Sequence, residues 1–201
     1  MTLILASQSP RRAQLLDMLG LTFETLPADI DETHPAGEAA DAHAERLARE
    51  KAQAIAARRP EATVIGSDTV VVVDGQLLSK PRDDDDAVRM LLRLAGREHT
   101  VATGIAVAHA GAVHSAVELV SVTFRYFDET TAMRYVATRE PMDKAGAYGI
   151  QGFGATLVER ISGDYFAVMG LPVCRMVMLL EEAGLQYDFS GRLRGVGDRA
   201  R

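Results

Sequence analysis

Ala62-Thr-Val-Ile-Gly-Ser-Asp-Thr-Val-Val-Val-Val73 is the stretch whose reading decides the fold class. β-Branched residues dominate it, and they suit a pleated strand. Asp74-Gly75 follows, a strong hairpin turn, and Gln76 to Ser79 returns. One carboxylate, Asp68, interrupts an otherwise apolar run. Burying a lone carboxylate is costly, so it needs a cation partner or a place at the rim of a site. The plainer alternative is an aspartate in a local turn or at a strand end.

Upstream of this run, Glu38 to Arg59 reads as a long helix rich in Ala, Arg and Glu, ended by Pro60. Ala44, Leu47, Ala48, Lys51, Ala54 and Ile55 share one stripe of it. A lysine in such a stripe either snorkels outward or meets an anion, and spacing alone slightly favours snorkelling. Arg46 and Glu50 read as a solvated i, i+4 pair. Nearer the N-terminus, Leu3 to Ala6 reads as a short buried strand and Ser7-Gln-Ser-Pro-Arg-Arg as a turn. Ser9 can cap the next helix, with Pro10 at its first position. Leu15, Leu16 and Leu19 give its apolar face, and Gly20 stops it. Thr22 to Leu26 looks like a second strand. Pro27 to Gly37 is an acidic loop whose Asp29-Ile-Asp-Glu-Thr could hold a divalent metal, although such loops are more often only solvated.

Downstream, Asp83 to Ala95 reads as a helix whose aspartates crowd its positive N-terminal end. Thr100 to Ala108 and Ala116 to Tyr126 alternate as strands joined through Gly111. Asp128 to Thr138 is a short helix, Lys144 to Gly154 a glycine-rich segment, Ala155 to Ile161 a strand and Leu171 to Ala183 a closing helix. From about Gln186 to Arg201 little is left to bury, and a frayed tail is expected. Helices and strands alternate first and strands dominate the middle, so the expected class is mixed α/β with a curved sheet.

A chain of 201 residues, 47% hydrophobic and 25% charged, forms one large domain or two joined lobes. Its formal charge of −6 argues against a broad nucleic-acid or anionic-membrane surface but leaves room for a small basic pocket. The single cysteine, Cys174, rules out an internal disulfide and a cysteine-based zinc site. The opening residues lack a basic leader and their apolar run is short, so no signal peptide is expected, and no apolar run of roughly 18 residues is present. A cytoplasmic protein with no membrane or nucleic-acid partner is the resulting expectation.

Chemistry can sit in few places. Ser7-x-Ser-Pro-Arg-Arg joins a strand to a helix start, which offers free backbone N–H groups and a positive dipole end to a phosphate. Arg11 and Arg12 add guanidiniums suited to phosphate oxygens, against the alternative of an ordinary capped helix with solvent arginines. Lys80 precedes Pro81 at the end of the hairpin, where a solvated lysine is the plainer reading. In Asp143-Lys-Ala-Gly-Ala-Tyr-Gly-Ile-Gln-Gly, small residues permit close approach of a ligand, Lys144 offers charge, and Gln151 can read a base edge. The histidines at 34, 43, 99, 109 and 114 show no metal-ligand spacing, no Ser-His-Asp pattern is evident, and Cys174 reads as a packed, inert thiol. Pooled, these groups suit a phosphate ester with a divalent metal better than acyl transfer or redox chemistry.

Leu5-Ala-Ser-Gln-Ser-Pro-Arg-Arg, Leu47-Ala-Arg-Glu-Lys-Ala, Gly66-Ser-Asp-Thr-Val-Val, Ser79-Lys-Pro-Arg, Gly96-Arg-Glu-His-Thr-Val-x-Thr-Gly, Asp143-Lys-Ala-Gly-Ala-Tyr-Gly-Ile-Gln-Gly and Gly170-Leu-Pro together resemble the Maf family, in order, from about residue 3 to residue 185. The resemblance implies a nucleoside triphosphate pyrophosphatase that cleaves between the α- and β-phosphates. It implies an elongated, two-lobed α/β domain over 1–185, with a mixed, curved sheet flanked by helices around a central cleft, similar to inosine triphosphate pyrophosphatases. It also implies a divalent cation, Mg²⁺ or Mn²⁺, a cytoplasmic location and often a homodimer. Matched by position, Asp68 takes the place of the catalytic proton acceptor and Glu32 that of the acidic residue tied to metal and catalysis. Lys51 and Lys80 match the phosphate-side lysines, and Arg11, Thr69 and Gln151 match the positions that mark nucleotide preference. The Arg-Arg after Pro10, with Thr69 and Gln151, looks like the branch acting on dTTP and UTP. The alternatives are the sister branch acting on 7-methyl-GTP and a nucleotide-binding regulator of division without turnover. The expected constellation is Asp68, Glu32 and Lys51 for catalysis, with Glu32 and Asp68 on the metal. Ser7, Ser9, Arg11, Arg12, Thr69, Lys80, Lys144 and Gln151 are expected on the substrate.

Overall fold

A computed structural model describes residues 1–195. Seven strands form its main sheet: β1 (Leu3–Leu5), β2 (Glu24–Thr25), β3 (Thr63–Val73), β4 (Gln76–Leu78), β5 (Glu98–His109), β6 (Ala112–Phe124) and β7 (Val158–Ser162). The order is β2-β1-β3-β5-β6-β7, with β4 folded back onto β3. β1 pairs in parallel with β2 and β3, while β3–β4 and β6–β7 are antiparallel. With the helices of both units, this is the expected mixed α/β sheet. Asp74-Gly75 has the positive φ at both positions that its residues predict, and Ala110-Gly111 has it too, uncommon for an alanine.

The chain divides into two compact units, and β3, β5 and β6 each give one half to either. The first unit holds Met1–Asp68, Thr103–Glu118 and the described chain from Gly170. Its core gathers Ile4, Ala6, Ala48, Ala52, Ile55, Val64 and Ala106. The stripe of α2 (Ala40–Arg58) lies against the sheet here, and it is built of small residues for a reason. A Cβ at Gly66 would run into the Ala48 carbonyl, and one at Gly104 into the Ala44 carbonyl. Glycines in β3 and β5 facing alanines on α2 bring helix and sheet backbones together. Gly66 and Asp68 point to the same face of β3. The register that seats Ala48 and Ala52 on Gly66 therefore places Lys51 beside Asp68.

After α6 (Val173–Glu182), the chain forms a second sheet, β8 (Leu185–Tyr187) with β9 (Leu193–Gly195). Residues 186–195 thus differ from the frayed tail expected of them. Leu185 is buried, the Tyr187 hydroxyl donates to the Leu19 carbonyl at 2.7 Å, and the Asp188 carboxylate accepts from the amides of Ser190 and Arg192. Long-range anchoring of this kind leaves no periodic signal in a short segment. Residues 196–201 of the expected tail lie outside the described residues.

The second unit holds Thr69–Ala102 and Leu119–Met169. Val71, Leu91, Leu94, Val101, Val120, Phe124, Tyr135 and Tyr148 are among its core. α3 (Asp84–Leu94) is capped by Asp83, which accepts from the Asp86 amide at 2.7 Å, and α4 (Glu129–Ala137) by Asp128, which accepts from Thr131 at 2.9 Å. From Glu140 to Thr156 the glycine-rich segment runs through three short 3₁₀ turns, so β7 starts at Val158, later than periodicity suggests. The short α5 (Tyr165–Met169) was not foreseen either; the Asp164 carboxylate accepts from the Phe166 amide at its start. Among the described residues no helix is long and apolar enough to cross a membrane.

Candidate active site

Three side chains of the first unit converge. The Lys51 ammonium lies 2.6 Å from the Asp68 carboxylate and 2.7 Å from that of Glu32. Lys51 and Asp68 are both buried, while Glu32 comes from the exposed loop before α2. Snorkelling, slightly favoured by spacing, is therefore not what Lys51 does: its stem stays in the stripe and its ammonium meets two anions. Asp68 likewise has the cation partner that its burial demanded.

The Ser7–Arg12 turn is built beside them. The Ser7 hydroxyl oxygen accepts from the Ser9 amide and from Arg12 Nη1, each at 3.1 Å. Arg12 Nε donates to the Gly170 carbonyl at 2.7 Å. Burial pulls the Arg12 guanidinium below its ordinary value, and the charges of Asp68 and Glu32 work the other way. Arg12 thus shares one electrostatic neighbourhood with both acids, and the like charge of Arg11 pushes it further down. Ser9 stands at the N-cap of α1 (Pro10–Met18), but its side chain makes no capping bond. Ser67 and Gly170 stand in motifs that carry the resemblance, but neither is among the expected site residues. The Ser67 hydroxyl, fully buried, lies 2.8 Å from the carbonyls of both Gly104 and Gly170, so Gly170 receives Arg12 and Ser67 together. No local pattern connects residues 12, 67 and 170.

Glu32 and Asp68 offer hard carboxylate oxygens that already gather around one cationic centre, and each has a second oxygen besides the one on Lys51. That donor set fits Mg²⁺ or Mn²⁺. The fold also assembles a group the sequence spacing did not suggest: His34, Glu38 and His43 bring potential ligand atoms within 4.8 Å of one another. The Arg46 guanidinium fills the place of a cation there. It binds Glu38 at 2.7 and 2.9 Å and lies 3.0 Å from His43 Nδ1. Hydrogen bonding from Arg46, opposed by burial and aided by His43, holds the Glu38 carboxyl at about 2. Arg46 also donates to the Thr33 carbonyl at 3.2 Å and keeps its contact with Glu50 at 3.2 Å. The expected solvated pair is therefore one edge of a clamp that ties the Glu32 loop to α2.

In the second unit, Thr69 is half-buried on β3 next to Asp68, and Lys80 is exposed after β4. The ammonium of Lys144 is held by the Glu140 carbonyl and the Asp143 carboxylate. Gln151 is exposed at the start of a 3₁₀ turn. Buried His99 meets the Tyr148 hydroxyl at 2.9 Å through Nε2, and burial lowers its pKa to about 4.

A buried Lys–Asp pair and a second acid on a loop stand beside a strand-to-helix turn, an arrangement that can do acid–base chemistry next to an anion. Residues 2–183 match the Maf-like protein family, and the chain belongs to that family. It is 43% identical to the dTTP/UTP pyrophosphatase of Aquifex aeolicus, across 92% of this chain and 97% of that one. The dTTP/UTP pyrophosphatases of Shewanella oneidensis and Myxococcus xanthus are 47% and 49% identical, across 92% and 91% of this chain and 100% and 93% of theirs. Among solved structures, the Staphylococcus aureus Ham1 protein matches with a TM-score of 0.48 at 17% identity, over 79% of this chain and 80% of that one, a likeness too loose to add to the strands and helices themselves.

Proposed function

We propose that this chain hydrolyses dTTP and UTP to the nucleoside monophosphate and pyrophosphate. The observation that carries the chemistry is the convergence of Asp68 and Glu32 on Lys51. Asp68 takes the proton of a water attacking the α-phosphorus, the bond to the bridging oxygen breaks, and pyrophosphate leaves. Lys51 fixes the Asp68 carboxylate in the direction it must face. Backbone amides of the Ser7–Arg12 turn, with Arg11, Arg12 and Lys80, offset phosphate charge. Glu32 and Asp68 would hold Mg²⁺ or Mn²⁺, which would lower the pKa of the attacking water and screen the phosphates. Thr69 and Gln151 serve nucleotide preference, Gln151 by reading the uracil or thymine edge. The names of the relatives support the choice of substrate. The same reading has the protein work in the cytoplasm, as a homodimer.

The test is a panel of nucleoside triphosphates, with and without Mg²⁺ or Mn²⁺, read as released pyrophosphate. Metal-dependent turnover fastest for dTTP and UTP is expected. Fastest turnover of 7-methyl-GTP overturns the substrate choice, and binding without turnover of any triphosphate overturns the enzyme.

A further inference from the structure

We infer that Tyr135, Glu140 and Lys144 form a buckle that fixes the backbone around Gln151, and that this buckle sets the discrimination between uracil and cytosine nucleotides. The inference rests on the base-reading role proposed for Gln151.

One carboxylate organises the segment. Glu140 Oε1 accepts from the Tyr135 hydroxyl at 2.8 Å and the Gly154 amide at 2.9 Å, and Oε2 accepts from the Phe153 amide at 2.9 Å. The Tyr135 oxygen in turn accepts from the Gly149 amide at 3.1 Å. Burial pushes the Glu140 carboxyl upward, but the Gly154 and Phe153 amides, the Tyr135 hydroxyl and the Lys144 charge outweigh it and hold it below the usual carboxylate range. Lys144 closes the loop on itself through the Glu140 carbonyl and Asp143. Two glycines are required by the same contacts. A Cβ at Gly152, where φ is +66°, would strike the Glu140 carboxylate, and one at Gly154 would strike the Gly149 carbonyl and the Tyr135 hydroxyl. Gln151 is thus framed on both sides, at Gly149 and at Phe153–Gly154, while its own side chain is exposed.

The framing matters because a primary amide is nearly symmetric. Turned one way, it accepts from N3–H of uracil and donates to O4. Turned over, it donates to N3 of cytosine and accepts from its amino group. A glutamine alone cannot choose. Backbone N–H and C=O groups beside it cannot be turned over once their positions are fixed, so fixing them converts a tolerant amide into a selective site. Tyr135, Glu140 and Lys144 are positioning residues in this account.

The experiment compares the wild type with Glu140→Gln and Tyr135→Phe. Steady-state kinetics with UTP and CTP are measured, together with amide hydrogen exchange over residues 149–154. In the wild type, the Phe153 and Gly154 amides exchange slowly without nucleotide. In Glu140→Gln they exchange faster, the UTP/CTP ratio of kcat/KM falls by about tenfold through KM for UTP, and kcat for UTP stays within about threefold, the scale of one or two hydrogen bonds. Tyr135→Phe moves the same quantities in the same direction by less. Fast exchange of Phe153 and Gly154 in the wild type overturns the inference and needs no variant to fold. So does an unchanged UTP/CTP ratio in a folded Glu140→Gln protein, or a loss of kcat common to all nucleotides with KM unaltered. Absence of turnover in the wild type would instead overturn the proposed function and with it the selectivity claim, while the exchange data still decide whether the buckle exists.

Discussion

The Lys51–Asp68–Glu32 cluster and the loop around Gln151 solve two problems by different means. In the first, two buried, oppositely charged side chains stand on regular elements, α2 and β3, and a loop acid joins them. Their positions follow from strand alternation and helix register. In the second, the structure is almost entirely main chain: amides of Gly149, Phe153 and Gly154 are gathered by a tyrosine on α4 and a glutamate just beyond it. The first arrangement places charge, which proton transfer needs. The second fixes the course of the main chain on either side of Gln151, which the proposed recognition needs. Variants in the first should therefore change rate, and variants in the second should change selectivity.

The sharpest way to break that contrast is Asp68→Asn. A general base contributes typically about 10²–10⁴-fold, so pyrophosphate release should fall by at least about a hundredfold, with the fold retained by circular dichroism. Near-normal turnover in that variant would falsify the base assignment. Next comes the scaffold of the first site. Gly104→Val drives a branched side chain into the Ala44 carbonyl and should cost about 3 kcal/mol or more, seen as a melting temperature lowered by roughly 10 °C. An unchanged melting temperature would mean that helix and sheet do not need this close approach.

The second unit is probed by pH. His99 has a folded value of about 4, depressed from 6.5 by burial. Its contribution is present above pH 6.5 and lost as pH falls through about 4, because the unfolded chain binds the proton first. Denaturant unfolding should lose about 3 kcal/mol over that window on this account, and His99→Gln should flatten the slope. A slope unaffected by the substitution would show that His99 is not held neutral. Smaller still is Gln151→Ala, which should raise KM for UTP and for CTP by about five- to tenfold, with little change in kcat or in the ratio between them. A large kcat effect would place Gln151 in the chemistry and dissolve the contrast. At the bottom of the scale are two cap positions. Asp83→Ala should cost about 1 kcal/mol and Ser9→Ala less than about 0.5 kcal/mol, because only Asp83 makes the capping bond.

How much of this could be read in advance depended on how local its cause is. The strand at β3, the hairpin at Asp74-Gly75 and the long helix α2 were legible because their signals are periodic or contained in two adjacent residues. Asp68 was visible as a misplaced charge in a β-branched run. Lys51 was visible but ambiguous, since an apolar stripe cannot say whether an anion waits at its end. The Arg46 clamp on Glu38, the paired donors on the Gly170 carbonyl and the hairpin of residues 185–195 were not legible, because each joins residues whose proximity only folding creates.

By itself, the sequence determined most of the long elements, the mixed α/β class, the family and the pool of charged residues from which a phosphate site could be drawn, because propensity, periodicity and motif order are properties of neighbours along the chain. The tertiary structure decided which of those charges meet. Gly66 and Gly104 let α2 approach the sheet closely enough for Lys51 to reach Asp68, and Glu140 and Tyr135 gave the glycine-rich segment a single course. Buried charge and unpaired main-chain amides are both costly, and the packing that satisfies them joins distant parts of the chain.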